Sequence, residues 1–200
     1  EKLVQLHPEA IANNSTMFKI DSPFHHFSLE TYNPKKDEIE RVHNKNFEGR
    51  WLILFFYPAD FTFICPTEIM DMNRHAEEFE KEHTEVVVVS TDTVYTHKAW
   101  IETEELLKGL KFLMAADHNG KLSRELDIYE EDKGMAQRAC FIIDPKGILR
   151  VSYIVADDIG RSAGEILRML KALRFVEQNP GKVCPASWEE GDTTLSPSIK

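Results

Sequence analysis

Cys65 is the residue in this sequence that is best placed to carry out chemistry. An uninterrupted apolar run, WLILFFY, spans residues 51–57 and predicts a buried strand. Pro58 ends the run, and a helical pattern starts at Cys65 and Pro66, where proline is tolerated in a first turn. A thiol in that turn faces unpaired backbone N–H groups at the positive end of the helix dipole, which favours the thiolate form. Cys65 is therefore a candidate nucleophile.

A small buried core residue is the alternative interpretation of Cys65, and it is the common one for an arbitrary cysteine. The flanking prolines and the strand-to-helix position favour the nucleophile instead. Glu68 lies three residues further on and could hold a nearby cation in place. Cys140 lies in the apolar run ACFIID and is interpreted as a core residue. Cys184 lies in a polar tail and has no assigned role from its own surroundings.

The elements that must position Cys65 alternate between strands and helices, which predicts an α/β fold with a mixed central sheet flanked by helices. Predicted strands cover residues 51–57, 84–92 and 111–115 and a hairpin over 136–155. Predicted helices cover residues 65–82, 94–107, 121–126 and 161–177. We expect residues 1–178 to form one domain that begins with an extended or weakly ordered N-terminal segment over 1–50. Residues 179–200 are expected to form a C-terminal tail.

Composition excludes several classes of function. The formal net charge of -10 repels phosphate backbones and anionic lipid headgroups, so we expect neither nucleic-acid nor membrane partners. The sequence lacks an apolar run long enough to span a bilayer and a secretory signal at its N-terminus, which predicts a cytoplasmic protein. Three scattered cysteines without a C-x-x-C pair fit neither a disulfide scaffold nor a zinc ribbon. They direct attention to a redox-active thiol.

The residues around Cys65 carry a resemblance to a known family. The string PADFTFIC, residues 58–65, fits the P-x-x-x-T-x-x-C signature of the peroxiredoxins. The wider string FFYPADFTFICPTE resembles the typical two-cysteine subgroup, most closely the alkyl hydroperoxide reductase C-like proteins. Supporting matches follow in the same order: HKAW at 97–100, QRACFIID at 137–144 and VCPA at 183–186. The resemblance extends over residues 51–188 and implies a thioredoxin-like fold.

The resemblance also implies peroxide reduction, with defined roles for five residues. Cys65 would be the peroxidatic cysteine, and Pro58 would shield its pocket from water. Thr62 would hydrogen-bond the bound peroxide, and Arg138 would pair with the thiolate and the peroxide oxygens. Glu68 would orient Arg138. We expect Arg138, Thr62 and the backbone N–H groups of the helix start to act as hydrogen-bond donors that stabilise the departing oxygen.

A peroxide that reacts with Cys65 leaves a sulfenic acid, which condenses with a second thiol. The resemblance places this resolving thiol at Cys184 of the other chain of a homodimer, or of a decamer of five dimers. An intersubunit Cys65–Cys184 disulfide would result. Thioredoxin or a flavoprotein disulfide reductase would then reduce that disulfide. The cycle requires neither a cofactor nor a metal ion, and its cellular effect would be antioxidant protection.

Two other classes of function compete with a peroxidase. Thiol–disulfide exchange of the thioredoxin kind is disfavoured because Glu68 stands where a C-x-x-C motif needs its second cysteine. A holdase chaperone or scaffold is the non-enzymatic alternative, because relatives assemble into dimers and rings. Eight histidines, among them His25, His26 and His97, invite a metal site, yet their spacing matches no ligand pattern.

Overall fold

The computed structural model describes residues 18–198. The first part of the predicted N-terminal segment, residues 1–17, and the last two residues of the predicted tail lie outside the described residues. Nine strands and five α-helices make up the described part of the chain. The strands are β1 (Ser28–Asn33), β2 (Glu38–His43), β3 (Trp51–Phe56), β4 (Thr84–Ser90), β5 (Leu113–Ala116), β6 (Tyr129–Glu130), β7 (Met135–Ala136), β8 (Arg138–Ile143) and β9 (Leu149–Val155). The helices are α1 (Cys65–Arg74), α2 (Ala76–Lys81), α3 (Val94–Thr103), α4 (Lys121–Glu125) and α5 (Ala163–Gln178).

Seven of the strands form one mixed sheet in the order β2-β1-β5-β4-β3-β8-β9, and β6 pairs with β7 in a small separate sheet. β3 lies parallel to β4 and antiparallel to β8. Every residue of β3 is buried, because helices or loops cover both faces of the sheet. This arrangement explains the uninterrupted apolar run in the sequence. The predicted mixed sheet flanked by helices is confirmed.

The two faces of β3 contribute to different halves of the core. Trp51, Ile53 and Phe55 pack into the cluster that also contains buried apolar residues from α1, α2, α3 and α5. Leu52 and the other alternate residues pack into a second cluster on the opposite face, which includes Leu122 of α4. Because successive side chains of a strand point to opposite faces, β3 anchors both halves of the core. The loop after β3 is therefore attached to a strand that is buried along its whole length.

Two predicted helices are interrupted. The pattern over residues 65–82 is divided into α1 and α2, which meet at His75 with φ -93° and ψ 9°. Met72, Ala76 and Phe79 are buried in one cluster across this break, which is why the apolar spacing continues through it. The predicted helix over 94–107 ends at Thr103 and is followed by a short 3-10 helix, Glu105–Leu107.

The N-terminal segment, expected to be extended or weakly ordered, forms two strands in its described part, β1 and β2. These strands pair antiparallel and extend the sheet beyond β5. β2 has the sequence EIERVH and lies at the edge of the sheet, where only one neighbour buries it. An edge strand with four ionisable side chains carries little apolar signal, which explains why the sequence pattern did not predict it.

The tail packs against α5. Trp188 is buried, and its ring centroid lies 5.0 Å from that of Phe175 on α5. Arg168 of the same helix donates from Nη1 to the carbonyl oxygen of Trp188 at 3.0 Å. These contacts order a segment that has few apolar groups of its own. Among residues 18–198, no helix combines the length and apolar character needed to cross a membrane.

Candidate active site

Cys65 is presented by the connection between the central strand and α1. β3 ends at Phe56, residues 57–64 form a loop, and Cys65 is the first residue of α1. Pro66 occupies the first turn, where its missing N–H removes no helical hydrogen bond. Cys65 and Pro66 are both buried. The sulfur therefore lies at a helix N-terminus inside the protein.

Arg138 contacts the sulfur directly. Its Nη1 donates to Sγ of Cys65 at 3.3 Å, and its Nε donates to the carbonyl oxygen of Asp157 at 2.8 Å. Arg138 begins β8, the strand next to β3, so the sheet itself brings the guanidinium to the end of the cysteine loop. Burial alone would lower the pKa of Arg138, but the hydrogen bond with Cys65 and the nearby charge of Glu68 raise it. The guanidinium thus stays charged beside the sulfur.

Glu68 joins Arg138 to a second buried arginine. Its Oε2 accepts from Nη1 of Arg138 at 2.8 Å. Its Oε1 accepts from both the backbone N–H and Nε of Arg161 at 2.8 Å, and Nη2 of Arg161 reaches Oε2 at 3.1 Å. Two guanidinium groups therefore share one carboxylate. With Cys65 as a thiolate, this buried cluster would carry no net charge.

Sequence reasoning missed Arg161. The side chain is fully buried, its Cζ lies 3.7 Å above the centroid of the Phe55 ring, and its Nη1 donates to the carbonyl oxygen of Ala139 at 2.7 Å. Removing one partner of a buried ion pair costs about 3–5 kcal/mol, so Glu68 depends on Arg161 for its position. The only sequence signal is an arginine at the start of a predicted helix, and that signal is not specific.

Thr62 and Pro58 lie in the loop that leads to Cys65. The hydroxyl of Thr62 donates to the carbonyl oxygen of Ala59 at 2.8 Å, and Thr62 is partly exposed. Pro58 is buried directly after β3. The structure thus brings Cys65 and Glu68 together through Arg138, which bonds to both, and places Thr62 three residues before Cys65 on the connecting loop.

The other two thiols lie in different surroundings. Cys140 is buried in β8, and burial raises its pKa to about 12, which suits an inert core residue. Cys184 is half-buried in the docked tail, where its Sγ lies 3.8 Å from the carbonyl oxygen of Ala172 on α5. Burial raises the pKa of Cys184 as well. Within one chain, Cys184 is held against α5 and not against Cys65.

Between residues 18 and 198, no group of three or more His, Cys, Asp or Glu side chains is arranged to hold an ion. His97 is buried and bonded to Asp60 and to a backbone carbonyl oxygen. The donor that contacts Cys65 is the guanidinium of Arg138, which suits an anionic sulfur and oxygen atoms.

A thioredoxin-like sheet with a cysteine at a helix start, held by a buried arginine, defines the peroxiredoxin class of thiol-dependent peroxidases. The chain belongs to the AhpC/TSA family, which it matches over residues 20–152. Residues 172–200 match the C-terminal domain of 1-Cys peroxiredoxin. The resemblance found in the motifs is thereby confirmed.

Individual relatives agree with this assignment. Alkyl hydroperoxide reductase C of Escherichia coli strain K12 is 47% identical over 165 residues, which cover 82% of this chain and 88% of that protein. Among solved structures, Enterococcus faecalis AhpC has a TM-score of 0.80 at 41% identity and covers 84% of this chain and 100% of its own. Plasmodium vivax 2-Cys peroxiredoxin in its reduced form has a TM-score of 0.85 at 31% identity, and the match covers 90% of this chain and 93% of that chain.

Proposed function

We propose that this protein reduces hydrogen peroxide and organic hydroperoxides through Cys65 and so protects its cell against oxidative stress. The observation that carries the proposal is the 3.3 Å contact between Nη1 of Arg138 and Sγ of Cys65 at the start of α1. The relatives named alkyl hydroperoxide reductase C support the substrate class. The test is peroxide consumption by the reduced protein compared with its Cys65→Ser variant.

The first step transfers one oxygen atom to sulfur. The Cys65 thiolate attacks the terminal oxygen of ROOH, an S–O bond forms, and the O–O bond breaks. RO⁻ leaves with the bonding electron pair and is protonated to ROH. Cys65 becomes a sulfenic acid, so sulfur is oxidised and the peroxide is reduced.

Ionisation alone does not make a thiol into a peroxidase. An ordinary cysteine thiol with a pKa of about 8.5 is already a few per cent thiolate at pH 7, so complete ionisation raises the reactive fraction only about thirtyfold. The larger gain must come from aligning the two peroxide oxygens with sulfur and stabilising charge on the departing one. Arg138 is positioned to do this, and Glu68 holds Arg138 in place. The N–H groups of Thr67 and Glu68, which the sequence offered as further donors, donate to the carbonyl oxygen of Ile64 instead.

Thr62 acts as a hydrogen-bond acceptor in this account, and not as the donor expected from the sequence. A hydroxyl has one hydrogen and two acceptor lone pairs. In Thr62 that hydrogen is directed to the carbonyl oxygen of Ala59 at 2.8 Å. The oxygen is left free to accept the O–H of a hydroperoxide and so to orient it for attack by Cys65.

Thr62→Ser is therefore expected to keep most of the activity, and Thr62→Val to lose it. Serine retains the hydroxyl, whereas valine keeps the shape of threonine without the oxygen. We expect the second-order rate constant for hydrogen peroxide to fall about a hundredfold or more in Thr62→Val, which corresponds to the loss of one orienting hydrogen bond. The rate constant is measured by stopped-flow mixing of reduced protein with peroxide. Equal rate constants in the two variants would contradict the acceptor role.

Resolution by Cys184 of a second chain is supported by the two edges of the sheet. The edge strand β2 carries four ionisable side chains, whereas β9, the other edge, reads VSYIV after Arg150. An edge strand with a single charged side chain and no proline is a ready template for pairing with another chain. Val151 of β9 and Cys184 line one cavity of about 370 Å³. Pairing of two chains along β9 would therefore bring the tail of one chain to the partner.

The second step forms a disulfide and releases water. The Cys184 thiolate of one chain attacks the sulfenic sulfur of Cys65 in the other, and the hydroxide that leaves is protonated. Thioredoxin or a flavoprotein disulfide reductase would supply the two electrons that return both thiols. We propose a homodimer as the working unit, with assembly of five dimers into a decamer as the larger form. A reducing compartment, the cytoplasm, suits a cycle that begins from free thiols.

The rate of disulfide formation is expected to rise with pH. Burial raises the pKa of Cys184, so the thiol is mostly protonated at neutral pH and its thiolate fraction grows about tenfold per pH unit below that pKa. We expect the slow phase after one equivalent of peroxide to accelerate about tenfold per unit between pH 6 and 8. The slow phase is followed by tryptophan fluorescence, since Trp188 lies four positions from Cys184. The control is Cys184→Ser, which should lack this phase; a slow phase independent of pH would contradict the prediction.

A further inference from the structure

A buried hydrogen-bond network fastens the cysteine loop to α3. The side chains of Asp60, in the loop, and His97, on α3, are both fully buried. Oδ2 of Asp60 lies 2.8 Å from Nδ1 of His97, and Oδ1 accepts from the hydroxyl of Tyr57. The backbone N–H of Asp60 donates to Oδ2 of Asp92 at 2.9 Å. Asp60 is thus held through both its side chain and its backbone, two residues before Thr62.

His97 connects this loop to the sheet as well. Its Nε2 lies 3.1 Å from the carbonyl oxygen of Ala115 on β5. A carbonyl oxygen only accepts, so Nε2 must carry a hydrogen. The contact between Nδ1 and Oδ2 of Asp60 needs a second hydrogen. Either Nδ1 carries it and the imidazole is charged, or the carboxyl group of Asp60 carries it and the imidazole is neutral. Burial raises the pKa of Tyr57 well above its ordinary value, so the tyrosine hydroxyl stays a donor to Asp60.

The loop also adopts a backbone conformation that needs support. Phe61, directly after Asp60, has φ +57°, in the left-handed region that side chains other than glycine rarely adopt. Such residues persist where the surroundings impose them, and they cluster at functional sites. The ring of Phe61 lies 6.2 Å from Trp100 of α3, centroid to centroid, although more than half of the residue is exposed. The contacts of Asp60 are the buried ones that fix this turn.

We propose that the Asp60–His97 pair is a positioning device for the peroxide reaction, one that sets Thr62 relative to Cys65. Cys65 is held independently by α1 and by Arg138, whereas Thr62 depends on the loop for its place. Loss of the pair would therefore move the acceptor oxygen of Thr62 while leaving the sulfur where it is. A displacement of about 1 Å at such a group costs about a hundredfold in rate. The inference rests on the proposed peroxidase function and extends it to two residues that do not touch the substrate.

Two substitutions of His97 test its two hydrogen bonds, to Asp60 and to Ala115, one at a time. His97→Asn places an amide near the position of Nδ1 and can still donate to Asp60. His97→Gln places its amide near the position of Nε2, so it keeps the bond to Ala115 and leaves Asp60 without its partner. Each variant is assayed for its rate constant with hydrogen peroxide and for alkylation of Cys65 by iodoacetamide. Alkylation requires the thiolate but no alignment of a peroxide.

We expect His97→Gln to lower the rate constant for hydrogen peroxide at least tenfold, while the rate of Cys65 alkylation changes less than about threefold. We expect both rates in His97→Asn to stay within about threefold of the wild-type values. Asp60→Ala removes the same contact from the loop side and is expected to behave like His97→Gln, so either variant suffices if the other does not fold. A parallel fall of both rates, or an equal effect of the two His97 variants, would overturn the proposal.

A matched control removes a buried carboxylate at the opposite end of the sheet. Asp144 accepts hydrogen bonds from Lys146, Ile148 and Arg150. We expect Asp144→Ala to lower stability and to leave the ratio of the two rates unchanged. A wild-type protein that reacts with peroxide no faster than an ordinary thiol would count against the proposed function itself. A fast wild type with an unchanged ratio in His97→Gln would count against the positioning role alone.

Discussion

Replacement of Cys65 by serine is expected to abolish peroxide consumption completely. The hydroxyl of serine is not ionised at neutral pH and is a far weaker nucleophile than a thiolate. The rest of the site, including Arg138 and Glu68, stays in place because the substitution exchanges one atom in a buried position. The assay follows the loss of hydrogen peroxide in the presence of a dithiol reductant, and the variant should show only the rate of the reductant alone.

Cys140→Ala is the matched control for this experiment. Cys140 is as deeply buried as Cys65 but lies in the middle of the core, and its raised pKa of about 12 keeps it protonated. The variant is expected to consume peroxide at the wild-type rate with a modest loss of stability. Sustained turnover by Cys65→Ser, or its loss in Cys140→Ala, would show that the wrong thiol has been assigned.

Replacement of Cys184 by serine has the second largest expected effect, and it falls on a different step. One equivalent of peroxide per chain should react as fast as in the wild type, because Cys184 lies against α5 and away from the pocket of Cys65. Turnover should then stop, since serine cannot displace hydroxide from the sulfenic sulfur to form a disulfide. Stopped-flow mixing with one and with ten equivalents separates the single turnover from the steady state.

Electrophoresis without reductant tests where the resolving thiol lies. Peroxide-treated wild type is expected to migrate as a covalent dimer, and Cys184→Ser as a monomer. After exchange of subunits in an equimolar mixture of Cys65→Ser and Cys184→Ser chains, each mixed dimer should form a single Cys65–Cys184 bond. A disulfide that appears within one chain would contradict the proposed pairing along β9.

The fold could be predicted from the sequence wherever burial leaves a strong pattern. β3 and β4 are apolar throughout because both faces of the sheet are covered, and the helix start at Cys65 is marked by Pro66. The N-terminal hairpin escaped prediction because β2 is an edge strand with charged side chains. The break at His75 escaped it because both helices bury the same side, so the apolar spacing carries no sign of the break. The division between the domain and the tail at residue 178 stays a prediction.

Only the site residues that lie within the matched sequence motifs could be predicted. Cys65 and Thr62 belong to one short string, and Arg138 and Cys184 lie in blocks that the resemblance covers. Arg161 lies 93 positions from Glu68 and meets it only because α1 and the start of α5 pack together. The acceptor role of Thr62 depends on the direction of one hydroxyl hydrogen. Neither a contact between residues far apart in the sequence nor the direction of a hydroxyl hydrogen can be predicted from a local sequence pattern.

The most direct test of the central claim is to trap the oxidised sulfur. Reduced Cys184→Ser protein is mixed with one equivalent of hydrogen peroxide and then with dimedone, which reacts with sulfenic acids, and the modified residue is located by mass spectrometry. We expect one dimedone adduct per chain, on Cys65, with one peroxide consumed. Peroxide consumption without an adduct on Cys65, or an adduct on Cys140, would contradict it.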